Sequence, residues 1–453
     1  MSVSSCEPRR SILRRRQPPP VTPLPPDLCR RIPPEVFHII IEKISRFDVH
    51  TLRACSLVCR TWHPVSRFHL IPTLALGPTN IKSFLRLLDS PYATISRGVH
   101  HISIHGDSEA ISHRRIPLRE SRLFPVTVDH QQAPAPPSPP PLDQLLHRLV
   151  TFSALTSLSF SWLQGGLPAP AAAALTHGLP ALTALEFRTC TFPSFSGFAH
   201  TLSALRGLQR LALADVTYDD PALPATHVPP PPRLRTLELY LAPIAHLCTW
   251  LGAYAAADGT GLVQLETVRL CSAFWDDGDA LAIAWMLRRL GPRIRHLALP
   301  WHIPEAVDLS HNTELRTLRI THLWFRPPPP PDADAEKTVV EEYFTVRGIE
   351  KTLLQLSAPH IQSIDFRVLL VCELRDGELG LDWERMRTIL ARACFGALQA
   401  LTFGLPRDDR KVRAVLRKIW PGGAQGVQGL PVKEEKRLSR RSARRIMVDE
   451  VRG

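Results

Sequence analysis

No stretch of this chain approaches the roughly 18 consecutive apolar residues of a membrane-spanning helix, so no membrane span is expected. Glycine is scarce, at 23 of 453 residues, and none of it builds a phosphate-cradling loop. There is no G-x-S-x-G elbow and no H-E-x-x-H pair. Those absences leave no catalytic constellation, so the chain reads as non-enzymatic and cofactor-free. Disulfide spacing is missing too. The nine cysteines (Cys6, Cys29, Cys55, Cys59, Cys190, Cys248, Cys271, Cys372 and Cys394) are odd in number, far apart and mostly in apolar surroundings. That is the thiol usage of a reducing compartment. The opening MSVSSCEPRRSILRRR has no apolar run behind its arginines, so a secretory signal is not expected. The expectation is an intracellular protein of the cytoplasm, the nucleus or both.

What the chain has in excess is proline and terminal positive charge. Its 44 prolines are about twice the ordinary share. They cluster in QPPPVTPLPP, QQAPAPPSPPPLD, ATHVPPPPR and RPPPPPDADAEK. Proline cannot donate to a strand ladder, so these runs read as linkers and as insertions near 131–142, 221–233 and 326–337. The net charge is +13. Residues 1–31 hold seven arginines against Glu7 and Asp27, and residues 406–453 hold fourteen Lys or Arg against six acidic residues. The two ends account for the whole excess, so 32–405 is neutral. A nucleic-acid-binding body carries its charge on the folded part, so nucleic acid is not the expected partner. The C-terminal KEEKRLSRRSARR reads as a nuclear localisation signal, an anionic-surface patch or a solvated tail. A DNA affinity that barely changed with salt would exclude binding through these ends.

The first candidate element is IPPEVFHIIIEKI. Pro33 and Pro34 suit a first helical turn, Glu35 complements the dipole there, and Val36, Ile40 and Ile44 recur at helical spacing. Asp48 is a good N-cap for a second helix, VHTLRACSLVC. On a helical wheel Leu52, Cys55, Val58, Cys59 and Trp62 fall on one side, with Arg53, Ser56 and Arg60 opposite. A third helix is expected to start at Pro64 and run toward Phe68 and Leu70. Cys55 and Cys59 lack a paired zinc spacing, since only His50, His63 and His69 lie near. They also lack the two-residue gap of a redox pair. They read as small apolar residues on a packed face.

Together, IPPEVFHIIIEKI and LRACSLVCRTW resemble the F-box motif. The match rests on Pro33, Glu35, Ile40, Ile44, Leu52, Val58, Cys59 and Trp62, with Ile32 where that family has leucine. The resemblance covers about residues 30–72. It implies a three-helix module that docks on a Skp-type adaptor and, through it, a cullin. The chain would then be the substrate-recognition subunit of an SCF-type ubiquitin ligase, with no chemistry of its own. Ile32, Pro33, Glu35, Ile40, Ile44, Leu52, Val58, Cys59 and Trp62 are the adaptor-contact candidates it implies. The alternative is a non-ligase interaction scaffold.

Downstream one pattern returns: apolar, two residues, apolar, one residue, apolar. It reads LTSLSF at 155, LTALEF at 182, LQRLAL at 208, LRTLEL at 234 and LETVRL at 265. It continues as IRHLAL at 294, LRTLRI at 315, IQSIDF at 361 and LQALTF at 398, with VHHISI at 99 as a first copy. A period near 26 residues with this core is the leucine-rich-repeat signature. Helical stretches such as IAHLCTWLGAYAAA lie between copies. The expected fold is α/β: a three-helix F-box, then an irregular leucine-rich-repeat solenoid over 73–405, between a basic tail at 1–29 and a terminal helix and basic tail at 406–453. The usual asparagine or cysteine after the strand is erratic, and Cys190 fits it.

If each copy is a strand, alternate residues face away from the core. Lone charges are unusual among buried strand neighbours, so Glu186, Arg188, Glu238, Arg269, Arg319, Asp365 and Arg367 are the candidates to touch a protein substrate, with Tyr240 beside them. WDDGD at 275–279 lacks the spacing of a calcium loop and is expected to open a helix near Asp279. HHISIH at 100–105 lacks a third metal ligand and reads as a polar strand face.

Overall fold

The computed structural model describes residues 33–44, 48–58, 62–71, 73–90, 95–106, 142–224, 227–240, 244–255, 264–271, 277–300, 307–325, 347–371, 383–404 and 432–434. The chain divides into two compact units, Met1–Ile71 and Pro72–Gly453. Among the described residues no helix is long and apolar enough to cross a membrane. The tail at 1–29, the insertion residues 131–141 and 326–337, and the terminal helix expected after 406 lie outside the described residues.

Among the described residues the first unit has three helices: α1 Pro34–Lys43, α2 Val49–Val58 and α3 Trp62–Leu70. Pro34 occupies the first turn of α1, where its missing N–H costs nothing, and Glu35 follows it. Asp48 caps α2 as expected, accepting from Thr51 N at 3.1 Å and Thr51 Oγ1 at 2.7 Å. These bonds hold the Asp48 carboxyl below its ordinary pKa. One expectation needs correction. Trp62 belongs to α3, which starts two residues before Pro64 and takes that proline into its first turn. On α1 the periodic residues Val36 and Ile40 are exposed and Ile44 is partly covered. Ile41 is fully buried, and the Phe37 ring lies 4.9 Å from the ring of Trp62. Apolar residues cover more than half of the circumference of α1, with Glu35, His38 and Glu42 on the remainder, so periodicity alone could not choose its packed face.

The second unit is one parallel sheet of twelve strands added in chain order. They are β1 Thr73–Leu76, β2 His101–His105, β3 Ser157–Ser161, β4 Ala184–Ser194, β5 Arg210–Asp220, β6 Thr236–Tyr240, β7 Thr267–Leu270, β8 His296–Pro300, β9 Thr317–Phe325, β10 Ser363–Val371, β11 Ala400–Gly404 and β12 Val432–Glu434. Between them run α4 Ile81–Leu88, α5 Leu142–Leu149, α6 Ala169–Gly178, α7 Phe195–Ala204, α8 Ala245–Ala255, α9 Asp277–Leu290, α10 Arg347–Gln355 and α11 Trp383–Leu390. Parallel crossovers are nearly always right-handed, so strands added in one direction put their helices on one face. Consecutive helices do pack on one another, α8 against α9 most extensively. The arrangement is α/β and consistent with a leucine-rich-repeat-like solenoid.

The six-residue pattern is the core of this sheet. Its three apolar positions are buried in every copy from Leu155, Leu158 and Phe160 to Ile361, Ile364 and Phe366. Just before each strand one carbonyl accepts two N–H groups from the next copy. Thr156 O takes Thr183 N and Ala184 N at 2.9 and 3.0 Å, and the series runs unbroken from His100 O to Gln362 O. Arg316 O receives Gln362 N at 2.7 Å, so the long interval between the copies at 315 and 361 leaves the register intact. Trp162, Thr189 and Asp215, the residues just past paired positions of β3, β4 and β5, all have positive φ (57°, 51° and 54°). This kink repeats with the strands. Cys190, at the position where the repeat has asparagine or cysteine, is buried, with its Sγ 3.7 Å from Phe160 O and 3.2 Å from Arg188 O.

Three features depart from the sequence reading. Strand β1 adds a copy, Ile71–Leu74–Leu76, before the one at 99, and β12 pairs beyond the expected end of the sheet. The proline run at 229–232 is not a free insertion. Val228 is buried and its carbonyl accepts Trp250 Nε1 at 2.7 Å. WDDGD does open a helix, from Asp277, but Asp279 reaches outward: its Oδ1 accepts Ile244 N and Ala245 N at 2.9 and 2.8 Å, capping α8. Asp279→Ala leaves two N–H groups without that acceptor, so the urea midpoint should fall by the equivalent of about 1–3 kcal/mol. Asp279→Asn, which keeps an oxygen there, should lose less in the same far-UV denaturation curves. Equal losses would show that the cap is not what holds this turn.

Candidate functional site

The face opposite the buried leucines carries no described helix. Its side chains fall into columns across the strands. The first pairing column runs Ser103, Ser159, Glu186, Ala212, Glu238, Arg269, Ala298, Arg319, Asp365 and Thr402. The next holds Ser161, Arg188, Ala214 and Tyr240, and later Pro300 beside Thr321 and Arg367 on β10. All eight substrate-face candidates therefore share one face.

They do not share one role. Glu238 is only 3% exposed and holds two arginines: Arg210 Nη2 donates to its Oε2 at 2.9 Å and Arg269 Nη1 to its Oε1 at 2.7 Å. The Tyr240 hydroxyl lies 3.5 Å from the same Oε2. Asp365, also buried, repeats the arrangement, with Arg319 Nε and Arg367 Nε donating to its Oδ2 at 2.8 and 2.9 Å. Glu186 pairs with Arg188 at 2.6 Å. Glu238 and Asp365 are thus corrected from surface contacts to buried anchors. The arginines stretch over them because a charge-assisted bond is the cheapest place for a guanidinium on this floor of alanines and serines. Arg188, Arg210, Arg269 and Arg319 keep about half of their side-chain surface in water.

Arg210 was not among the sequence candidates. It sits in a third column with Ser157, Ala184, Thr236 and His296, two residues before the first. Strand alternation alone gives that position. The Glu238 bond raises the Arg210 pKa further. His101 and His296 share this column. Burial lowers both ring pKa values, so neither adds charge near neutral pH. His101 Nδ1 is 2.8 Å from Ser157 Oγ, which makes HHISIH the polar strand face expected. Burial pushes the Cys271 thiol up to about 11, so it is a neutral neighbour of Tyr240 rather than a nucleophile. Among the described residues no group of three or more His, Cys, Asp or Glu could hold a metal ion.

In the first unit the adaptor candidates separate by exposure. Pro33 and Glu35 are exposed, as are Ile40 at 46% and Val58 at 61%. Ile44 and Trp62 are partly covered. Leu52 is fully buried, so it is corrected to a core residue. Ile32 and Cys59 lie outside the described residues. The sequence reading missed Ile39 and Leu57, which are 55% and 84% exposed.

No family model matches the chain, and no curated protein matches it. Among solved structures it is similar to a leucine-rich-repeat protein of Leptospira interrogans, at 11% identity and a TM-score of 0.22. That similarity spans 79% of this chain and 99% of the other.

Proposed function

We propose that this chain is the substrate-recognition subunit of an SCF-type ubiquitin ligase. Its N-terminal helices dock on a Skp-type adaptor that carries a cullin, and the open sheet face meets a protein target. The chain itself does no chemistry and works in the cytoplasm, the nucleus or both. One observation supports the reading most. Ile40 and Val58, two positions that the F-box resemblance assigns to the adaptor, stand in water with Val36, Ile39 and Leu57 around them in the sequence. A unit with three short helices has little core to spare, and leaving five apolar side chains exposed favours a partner over a self-sufficient fold.

The test is an affinity pull-down of the full chain beside Ile40→Asp/Val58→Asp, probed for the adaptor and the cullin. Wild type should retain both. The variant should bind the adaptor at least about a hundredfold more weakly with an unchanged melting curve, because both sites are exposed. Neither partner on wild type would leave a non-ligase interaction scaffold built on the sheet.

A further inference from the structure

We propose that the open face binds an Asp/Glu-rich extended segment of a partner protein, laid across β4 to β9 with its carboxylates on Arg188, Arg210, Arg269 and Arg319. The proposal rests on reading this face as the target-binding surface. Three columns of the face hold Arg188, Arg210, Arg269, Arg319 and Arg367 against Glu186, Glu238 and Asp365. The acids and the arginines also lie at different depths. Glu238 and Asp365 are sunk in the floor while the guanidiniums above them reach water. An arriving ligand therefore meets cations.

Those cations are already ordered. Arg188, Arg269 and Arg319 are each tied by a bond of 2.6–2.8 Å that engages one N–H of the guanidinium. The ordering of a long side chain is therefore largely met before binding. Ala212, Ala214 and Ala298 keep the surface low between the arginines, so a main chain can come close.

The spacing selects the ligand. Arg269 and Arg319 occupy one column on β7 and β9 with Ala298 between them, so their Cα atoms are about 9.6 Å apart. Each leans away from the other, toward Glu238 on β6 and Asp365 on β10. The two guanidiniums therefore lie farther apart than the Cα atoms and suit carboxylates at least four residues apart on an extended chain, beyond about 13 Å. A single phosphate cannot span Arg269 and Arg319, whereas an extended acidic chain can.

The test is fluorescence anisotropy with the full chain and a labelled peptide of alternating Glu and Ala. A Gln/Ala peptide, a phosphoserine peptide of equal charge and oligo-dT serve as comparators. The Glu peptide should bind best and weaken with salt. Arg269→Gln/Arg319→Gln should weaken it about tenfold, while Lys82→Gln on α4 changes nothing. Ala214→Glu, which adds an acid beside Arg188 and removes no ion pair, should weaken it as well and covers a folding failure of the double variant. Three results overturn the proposal: equal binding of the Gln peptide, tighter binding of the phosphopeptide or oligo-dT, or an affinity untouched by these substitutions. The last would assign binding to the basic ends. Adaptor pull-down with the same variants is an independent readout, so the ligase reading can fail while the acidic segment still binds.

Discussion

Phe187→Ala is expected to lower the stability of the sheet unit by about 3–5 kcal/mol, among the largest losses a single truncation here can cause. Phe187 is 1% exposed, on the buried side of β4. Its ring stacks on Phe160 at 5.3 Å and takes Phe192 and Phe198 edge-on at 5.2 and 5.6 Å. The neighbours belong to β3, β4 and α7, so a hole at this point touches two strands and the helix between β4 and β5. Rigid surroundings of that kind relax little, and the loss includes a cavity term as well as the transfer of the ring. Urea denaturation followed by far-UV circular dichroism gives the value, and Phe187→Leu should recover part of it. A loss below about 1 kcal/mol would mean the cluster closes over the gap.

The second large effect is expected at Asn312. This fully buried side chain donates through Nδ2 to Leu287 O at 3.1 Å and Gly291 O at 2.7 Å, holding the end of α9 where Gly291 turns with φ +52°. Asn312→Leu leaves both carbonyls short of a donor and should cost about 2–3 kcal/mol. Asn312→Asp is nearly isosteric and should be worse, about 3–5 kcal/mol at neutral pH, because it puts an uncompensated buried charge against two carbonyl oxygens. Burial raises the pKa of such a carboxyl above its unfolded value. The protonated form is therefore favoured in the folded state, and part of the loss should return on acidification. Leucine proving worse than aspartate at neutral pH would show that this side chain is not a donor.

Much of the sheet was legible because its signal is periodic. Three apolar positions per copy suffice to place a strand and its buried side, and the pairing column from Ser159 to Thr402 follows from alternation. The first strand was hidden because its copy, Ile71–Leu76, follows directly on the helix that ends at Leu70, with no linker to set it off. The packed side of α1 was illegible because Val36, Phe37, Ile39, Ile40, Ile41 and Ile44 form a stripe wider than half the helix, and only tertiary packing buries Ile41 and sets Phe37 against Trp62. The depth of Glu238 was illegible for a different reason. Its cover comes from Arg210 and Arg269, 28 and 31 residues away in the chain, and lateral neighbours leave no local trace. The docked prolines near Val228 share that origin, since their partner is Trp250 on the next helix.

The paired acceptors before each strand have a practical consequence. Arg316 O binds Gln362 N and Ser363 N just as Arg295 O binds Arg316 N and Thr317 N, although far more chain separates the first pair. Extra length between β9 and α10 therefore carries no penalty in register, and loop closure grows only slowly with length. A reporter domain fused between these elements should leave the strands on either side in step, making this junction a natural attachment point for following the protein in cells.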